Sequence, residues 1–325
     1  MNLQEELAAI GPLIGHTHVC KMQFGYGNLY AKLEYANLMG SIKDRAAYFM
    51  MQKAVEEGLV SRKSVVVEST SGNFGIALAA ICKRIAIKFI PVVDPNISRE
   101  KEALLSLLSY KVVKVREKDK TGGYLLNRIE RVRELIAEYS PAYNPNQYQN
   151  PYNYLSYYHT LGEEICSRFS TLDYIFIAVS SGGTITGLSL RLKEKFRDIK
   201  VVAVDVEGSL IFSDKLKDRC IPGIGAGLRT STVDKALIDD VIILSQTDII
   251  QGCLDLLHHQ TIFGGGSSGA VYHAAKLYLK KLKRKDATAL LIFPDKGNAY
   301  LDTIYNPAWV NRYITNKEMI DHEIS

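Results

Sequence analysis

The chain lacks several features that mark whole classes of protein. Its five cysteines (Cys20, Cys82, Cys166, Cys220 and Cys253) form no CxxC pair, which excludes a zinc ribbon or redox dithiol and fits reduced thiols. No apolar run approaches the ~20 residues that span a bilayer. The opening Met1-Asn-Leu-Gln-Glu-Glu6 lacks the basic segment of a secretory signal, so cytoplasmic residence is the default expectation. Charge of one sign is also scarce, with a net charge of only +5 and no charged arm. The one basic cluster, Lys280-Lys281-Leu-Lys283-Arg284-Lys285, ends a helix and complements its dipole, so no nucleic-acid partner is expected. No GxxxxGK[ST] occurs, which counts against a P-loop nucleotide site. No fixed-period repeat or metal-ligand spacing is present, and His258 and His259, being adjacent, do not face one ligand.

What is present is an alternation of strand and helix. At 325 residues the chain can bury a large core and is expected to divide into two domains. Strands are read at residues 29–34, 64–68, 87–93, 111–115, 173–179, 201–206, 241–244 and 287–293. Helices are read at 2–10, 44–57, 75–84, 98–108, 123–139, 154–168, 184–196, 247–258 and 268–284. The β-branched run Ser64-Val-Val-Val-Glu68 is typical of a buried parallel strand. This order predicts an α/β protein with mostly parallel sheets flanked by helices. Residues 140–153 are rich in Pro, Asn and Tyr and read as irregular, marking a domain crossing. A smaller domain is expected over 36–145, and a larger one over 1–35 plus 146–325. Tyr143, Tyr152, Tyr154, Tyr157 and Tyr158 are read as packing around that crossing.

Four polar segments stand where strands give way to helices, the usual ligand edge of an open α/β sheet. Met39-Gly-Ser-Ile-Lys-Asp-Arg45 is a Gly/Ser loop with a lysine at a helix start. Alone, it reads as a surface lysine; desolvated, the same amine would serve as nucleophile or base. Ser69-Thr-Ser-Gly-Asn-Phe-Gly75 could hold a carboxylate on its N–H groups and hydroxyls, or simply cap the helix after it. Ser180-Ser-Gly-Gly-Thr184 has the makings of a phosphate cradle at a helix N-terminus, or is a plain strand–helix turn. In Phe263-Gly-Gly-Gly-Ser-Ser-Gly269, Ser267 or Ser268 is either the N-cap or a hydroxyl facing a ligand. Together, and in this order, they supply a lysine, two anion cradles and a ring-facing serine, the parts a pyridoxal phosphate enzyme needs.

With those motifs the chain resembles the fold-type II pyridoxal phosphate enzymes of the cysteine synthase and cystathionine β-synthase family, the tryptophan synthase β-subunit-like fold. The likeness runs from about Ile10 to about Tyr305 and also includes Pro222-Gly-Ile-Gly-Ala-Gly227. It implies that Lys43 carries the cofactor covalently and acts as the acid–base. It implies that Asn73 bonds the cofactor's 3′-oxygen, that Ser180, Ser181, Gly182, Gly183 and Thr184 hold its phosphate, and that Ser267 faces the pyridine nitrogen. Thr70, Ser71, Gly72 and Asn73 are then the seat of the substrate carboxylate. A homodimer working on small amino-acid substrates follows from the same likeness, with no metal, nucleic acid or membrane.

Departures from the sulfur enzymes point to the substrate. Leu38-Met39-Gly40-Ser41 replaces Pro-Gly-Gly-Ser, Phe74 replaces threonine, Tyr148 replaces phenylalanine, and Ser180 replaces glycine. Two of these changes add hydroxyls that a hydrosulfide acceptor would not need. Further segments are similar to a narrower group, the N-(2-amino-2-carboxyethyl)-L-glutamate synthases of 2,3-diaminopropionate and staphyloferrin B siderophore biosynthesis. They are Val92-Val-Asp-Pro-Asn-Ile-Ser98, Gly122-Gly-Tyr-Leu-Leu-Asn-Arg-Ile129, Ala203-Val-Asp-Val-Glu-Gly-Ser-Leu-Ile-Phe212 and Phe293-Pro-Asp-Lys-Gly-Asn-Ala-Tyr-Leu-Asp302. That resemblance implies O-phospho-L-serine and L-glutamate as substrates, phosphate as leaving group, and Arg128, Tyr148 and Ser180 as substrate-recognition residues. Gly182 and Thr184 stand where those synthases have threonine and serine, closer to the sulfur enzymes.

Helical periodicity tests Arg128 separately. Its position falls between Leu135 and Tyr139 on the apolar arc of helix 123–139, with Arg131 and Arg133 outside it. A buried arginine needs a partner, either a structural carboxylate or an anionic ligand gripped bidentately. Three rivals remain. They are a cysteine synthase using O-acetyl-L-serine or O-phospho-L-serine with sulfide, a catalytically silent scaffold on the same fold, and an NAD-type Rossmann protein, set aside as lacking its glycine fingerprint.

Overall fold

The computed structural model describes residues 2–70, 72–120 and 123–315. The chain opens with α1 (Leu3–Ala8), β1 (Val19–Lys21) and β2 (Asn28–Leu33), then α2 (Lys43–Glu56). A run of strand–helix units follows: β3 (Val65–Ser69), α3 (Asn73–Arg84), β4 (Lys88–Val93), α4 (Arg99–Leu108), β5 (Val113–Lys114), α5 (Leu125–Glu138) and β6 (Ala142–Tyr143). The remainder comprises α6 (Tyr152–Tyr157), α7 (Glu163–Arg168), β7 (Tyr174–Ala178), α8 (Gly183–Lys195), β8 (Lys200–Val206), β9 (Asp240–Leu244), α9 (Gln246–Gln260), α10 (Gly266–Leu282), β10 (Thr288–Phe293) and α11 (Pro307–Val310).

Two compact units result, one of Met1–Gly15 with Asn37–Ser156, the other of His16–Ala36 with Tyr157–Ser325. Residues 1–15 and 146–156 therefore group with the smaller unit, not with the larger one where the sequence reading put them. Their contacts explain it. α1 packs on α2, Glu6 pairs with Arg62 at 2.7 Å, and the Tyr152 hydroxyl donates to Glu57.

The smaller unit holds a four-stranded sheet in the order β5-β4-β3-β6, parallel throughout. β3 is buried along its whole length, because helices cover both of its faces. Val65 and Val67 with Ile90 and Val92 pack against Val132 and Leu135 of α5, while α3 lies on β3 and β4. The larger unit holds a six-stranded sheet, β1-β2-β10-β7-β8-β9, parallel except for β1. Its main core joins Phe176, Val202, Val204, Leu291 and Phe293 to Ile249, Cys253 and Leu256 of α9 and Val271 and Ala275 of α10.

Four elements differ from the sequence reading, among them the one-turn α11, which was not anticipated. β1 and β6 were not anticipated, since runs of two or three residues carry no readable alternation. They exist through partners, Cys20 opposite Ala31 and Ala142 opposite Val65. The helix read at 154–168 is interrupted by a π-helical turn over Tyr158–Gly162. Among the described residues no helix is long and apolar enough to cross a membrane.

Phe176 at the centre of β7 is fully buried and meets Tyr278 edge-on at 5.6 Å. Phe176→Ala should lower stability in urea unfolding by about 3–5 kcal/mol; a loss below about 1 kcal/mol would show that this core repacks freely.

Candidate active site

In the smaller unit the lysine loop is folded around the carboxylate of Asp44. Met39 N and Ser41 N donate to Asp44 Oδ2 at 2.8 and 3.4 Å, and Ser41 Oγ accepts from Lys43 N at 3.2 Å. Asp44 sits in the first turn of α2, where a helix dipole favours a negative charge. Lys43 is the first residue of that helix and half-buried. Burial lowers its amine from the ordinary lysine value to about 8.

β3 ends at Ser69, and Thr70 N continues the ladder to Val92 O at 3.0 Å. Gly72 is the N-cap of α3 and Asn73 its first residue. Ser71 and Gly122 lie outside the described residues. Beyond the carboxyl ends of β3 and β4 stands a charged cluster. Arg128, 8% exposed, points from α5 to Asp94 at 3.3 Å, while Asp94 Oδ1 also accepts from Asn96 N. The partner is thus a carboxylate just past β4, which periodicity could not identify. Buried Glu68 accepts from Asn146 N at 2.7 Å and Asn144 Nδ2 at 3.0 Å. Burial pushes its carboxyl up to about 8, against these donors and the Arg128 charge. Tyr148 belongs to the same cluster. Burial raises its phenol, Arg128 opposes that, and Glu68 and Asp94 add to it.

In the larger unit the turn after β7 is clamped on both sides. Ser180 Oγ donates to Gly225 O at 3.1 Å, Thr230 Oγ1 to Ser181 O at 3.0 Å, and Thr186 Oγ1 to Thr232 O at 2.8 Å. Gly182 has φ +89°, and a Cβ there would meet Val233 Cγ2 at 2.5 Å, so only glycine fits. Ser181, Gly182 and Gly183 are buried, and Thr184 is partly exposed. The loop before α10 is tied to the end of β10. Gly265 N and Ser268 Oγ both donate to Asp295 O, at 3.0 and 3.5 Å. Tyr305 OH donates to Gly264 O at 2.6 Å, and Tyr300 OH to Asp295 Oδ2 at 3.0 Å. Neither serine caps the helix, whose N-cap is Gly265. With Ser268 engaged, Ser267 is left as a buried hydroxyl that bonds no other described residue. Gly264-Gly-Gly-Ser-Ser-Gly269 does have the spacing of a dinucleotide fingerprint, but it joins α9 to α10 and follows no strand.

The helix starts differ in their caps, and α5 and α7 also lack one. α1, α4, α9 and α11 are capped by the side chains of Asn2, Ser98, Ser245 and Asn306. α2, α3, α8 and α10, which begin at the four segments singled out in the sequence, have no side-chain cap. At α3, α8 and α10 the first N–H groups are suited to anions, whereas at α2 Ser41 takes the N–H of Lys43. An uncapped start behind a glycine-only turn, a desolvated amine and a buried, unengaged hydroxyl fit the phosphate, carbonyl and ring nitrogen of a pyridoxal phosphate cofactor.

A family model described as pyridoxal-phosphate dependent enzyme matches residues 10–295. The chain belongs to that family. Solved structures agree with this assignment over nearly the whole chain. An O-acetylserine dependent cystathionine β-synthase from Helicobacter pylori is 29% identical, with TM-score 0.84, covering 94% of this chain and 99% of its own. A hydrogen sulfide-producing enzyme from Fusobacterium nucleatum is 32% identical, with TM-score 0.83, covering 90% and 99%. O-Ureido-L-serine synthase is 26% identical, with TM-score 0.84, covering 93% and 98%. The protein is thus a fold-type II pyridoxal phosphate-dependent enzyme of the cysteine synthase and cystathionine β-synthase type. The sequence reading missed Asp44, which gathers its own loop through Met39 and Ser41, and Glu68, Asp94 and the Asp295–Tyr300–Tyr305 support of the Ser267 loop, where partners such as Asn146, Arg128 and Gly264 are distant in the chain.

Competitive labelling of the apo-protein with a small amine reagent, read peptide by peptide, should give Lys43 an apparent pKa of about 8, against about 10.4 for exposed lysines. A value near 10 would show that the amine is solvated.

Proposed function

We propose that this enzyme of the β-replacement and β-elimination class joins O-phospho-L-serine to L-glutamate. The product is N-(2-amino-2-carboxyethyl)-L-glutamate with release of phosphate, on a route to 2,3-diaminopropionate and siderophores. The observation that carries the reading is Arg128, a guanidinium 8% exposed at the carboxyl edge of the sheet in the unit that bears Lys43, with Tyr148 beside it. Both substrates bring an anion beyond the α-carboxylate, whereas acetylserine and sulfide do not.

Pyridoxal phosphate, when bound, supplies the electron sink that lets the Cα–H and Cβ–oxygen bonds of the donor break in turn. In this reading residues 180–184 hold the cofactor's phosphate, Asn73 its 3′-oxygen and Ser267 its pyridine nitrogen. A hydroxyl donor leaves that nitrogen unprotonated, and the weaker sink favours loss of a β-group over transamination. Residues 70–73 seat the donor's carboxylate, and Lys43, the covalent anchor, moves the proton at Cα. An amine with a pKa of about 8 is deprotonated often enough near neutrality to act as that base. The smaller unit is then the substrate-binding part and the larger the cofactor-binding part. We place the enzyme in the cytoplasm, where its five free cysteines stay reduced, and infer a homodimer from family likeness.

The second reading is a cysteine synthase using O-acetyl-L-serine or O-phospho-L-serine with sulfide. Gly182 and Thr184 favour it, as does the acetylserine dependence in the name of the Helicobacter pylori relative.

The test is phosphate release from O-phospho-L-serine, which L-glutamate should accelerate; acceleration by sulfide alone would return the protein to the second reading. Lys43→Ala should abolish turnover while keeping the melting temperature of the apo-protein, and normal activity would end the mechanism. Arg128→Leu, made with Asp94→Asn so that no carboxylate is orphaned, should raise KM for the anionic substrates about tenfold or more without loss of cofactor. Unchanged kinetics would make Arg128 a structural partner of Asp94.

A further inference from the structure

Residues 144–148 follow β6 in the smaller unit and carry Tyr148, yet they form no helix or strand. They are pinned from two sides. Asn153 Nδ2 donates to Gln147 O at 2.6 Å, and Asn150 Nδ2 to Pro145 O at 3.0 Å. The other side is β3. Asn144 Nδ2 donates to Val67 O at 2.7 Å and to Glu68 Oε2 at 3.0 Å, and Asn146 N donates to the same Oε2 at 2.7 Å. Asn146 has φ +53°, a left-handed conformation that costs energy even where asparagine tolerates it, so the bond to Glu68 holds a turn that backbone preference alone would not.

Glu68 is 2% exposed, and of these ties it alone can gain or lose a charge. One residue further on β3 ends, at the segment 70–73. Titratable and charged groups face Glu68 from several elements. Arg128 of α5 favours its anion, and its charge acts in turn on Tyr143 of β6 and on Tyr148. Asp94, beyond β4, takes Arg128 at 3.3 Å and also bears on Tyr148, while Glu57 at the end of α2 bears on Tyr143. Burial outweighs the N–H donors and the arginine, and pushes the Glu68 carboxyl up to about 8. A purely structural tie needs only an acceptor oxygen, which glutamine would supply. An acid adds a charge that competes for Arg128 with any anionic ligand.

We propose that Glu68 is a positioning residue, whose carboxyl group sets the Asn144–Tyr148 turn and so places Tyr148 beside Arg128 for an anionic substrate. This rests on the reading of Arg128 and Tyr148 as substrate groups. Protonated, Glu68 still accepts both donors on Oε2 and leaves the arginine to Asp94 and the ligand. Ionised, as pH rises through about 8, it sets a further negative charge against that ligand.

Holoenzymes carrying Glu68→Gln and Glu68→Ala are compared with the unaltered enzyme between about pH 6.5 and 9.5, for kcat and KM with O-phospho-L-serine and L-glutamate. Glu68→Gln should match the unaltered KM near neutrality, and above about pH 8 the unaltered KM should climb to about threefold or more over that of Glu68→Gln, with kcat equal in the two. Glu68→Ala should raise KM about tenfold throughout, change kcat less than about threefold, and speed amide exchange over residues 144–150, which Glu68→Gln leaves slow. KM profiles of the unaltered and Glu68→Gln enzymes that superimpose across the range would overturn the proposal. So would a Glu68→Gln enzyme as impaired near neutrality as Glu68→Ala. Should Glu68→Ala fail to fold, the Glu68→Gln profile decides alone. An unaltered enzyme that turns over only O-acetyl-L-serine with sulfide would end the phosphoserine–glutamate reading. The same profiles taken with acetylserine then judge Glu68 separately: a KM gap opening above about pH 8 keeps the positioning role, and superimposed profiles remove it.

Discussion

A helix that starts without a side-chain cap leaves backbone N–H groups in need of an acceptor, and three such starts, at α3, α8 and α10, stand at loops that the sequence singles out. At α1, α4, α9 and α11, Asn2, Ser98, Ser245 and Asn306 close the helix in the ordinary way. At α2, α3, α8 and α10 the residue before the helix is Ile42, Gly72, Gly182 or Gly265, and none caps. Stability forgone at those ends is offset by clamps on the adjoining loops. Asp44 gathers the lysine loop, Thr230 and Thr232 grip the turn after β7, and Asp295 with Tyr305 fixes the loop before α10.

The same loops set the electrostatics. Lys43 is desolvated, so its amine can exist uncharged near neutrality. Arg128 and Asp94 compensate each other at the edge of the smaller sheet, and Glu68 beside them is driven toward its neutral form. Such a cluster holds a cation ready without presenting a naked charge to the core. In the function proposed, chemistry sits with Lys43 and the cofactor, and substrate choice with Arg128 and Tyr148.

Much of this was legible in the sequence, for identifiable reasons. β3, β4, β7, β8 and β10 are β-branched or apolar runs that both faces of a parallel sheet demand, and two of the polar Gly/Ser loops follow β3 and β7. Arg128 was readable as buried from the apolar arc of α5, which is local information. Its partner Asp94 was not, because pairing across elements has no period. β1 and β6 were invisible for the same reason. The grouping of residues 1–15 and 146–156 turned on partners such as Arg62 for Glu6 and Glu57 for Tyr152, far along the chain.

The most direct measurement supplies the holoenzyme with O-phospho-L-serine and O-acetyl-L-serine together, and with L-glutamate and sulfide together, and identifies the amino-acid product by mass spectrometry. The account predicts N-(2-amino-2-carboxyethyl)-L-glutamate as the dominant product, formed at the expense of phosphoserine. Cysteine as the dominant product, formed at the expense of acetylserine, would contradict it.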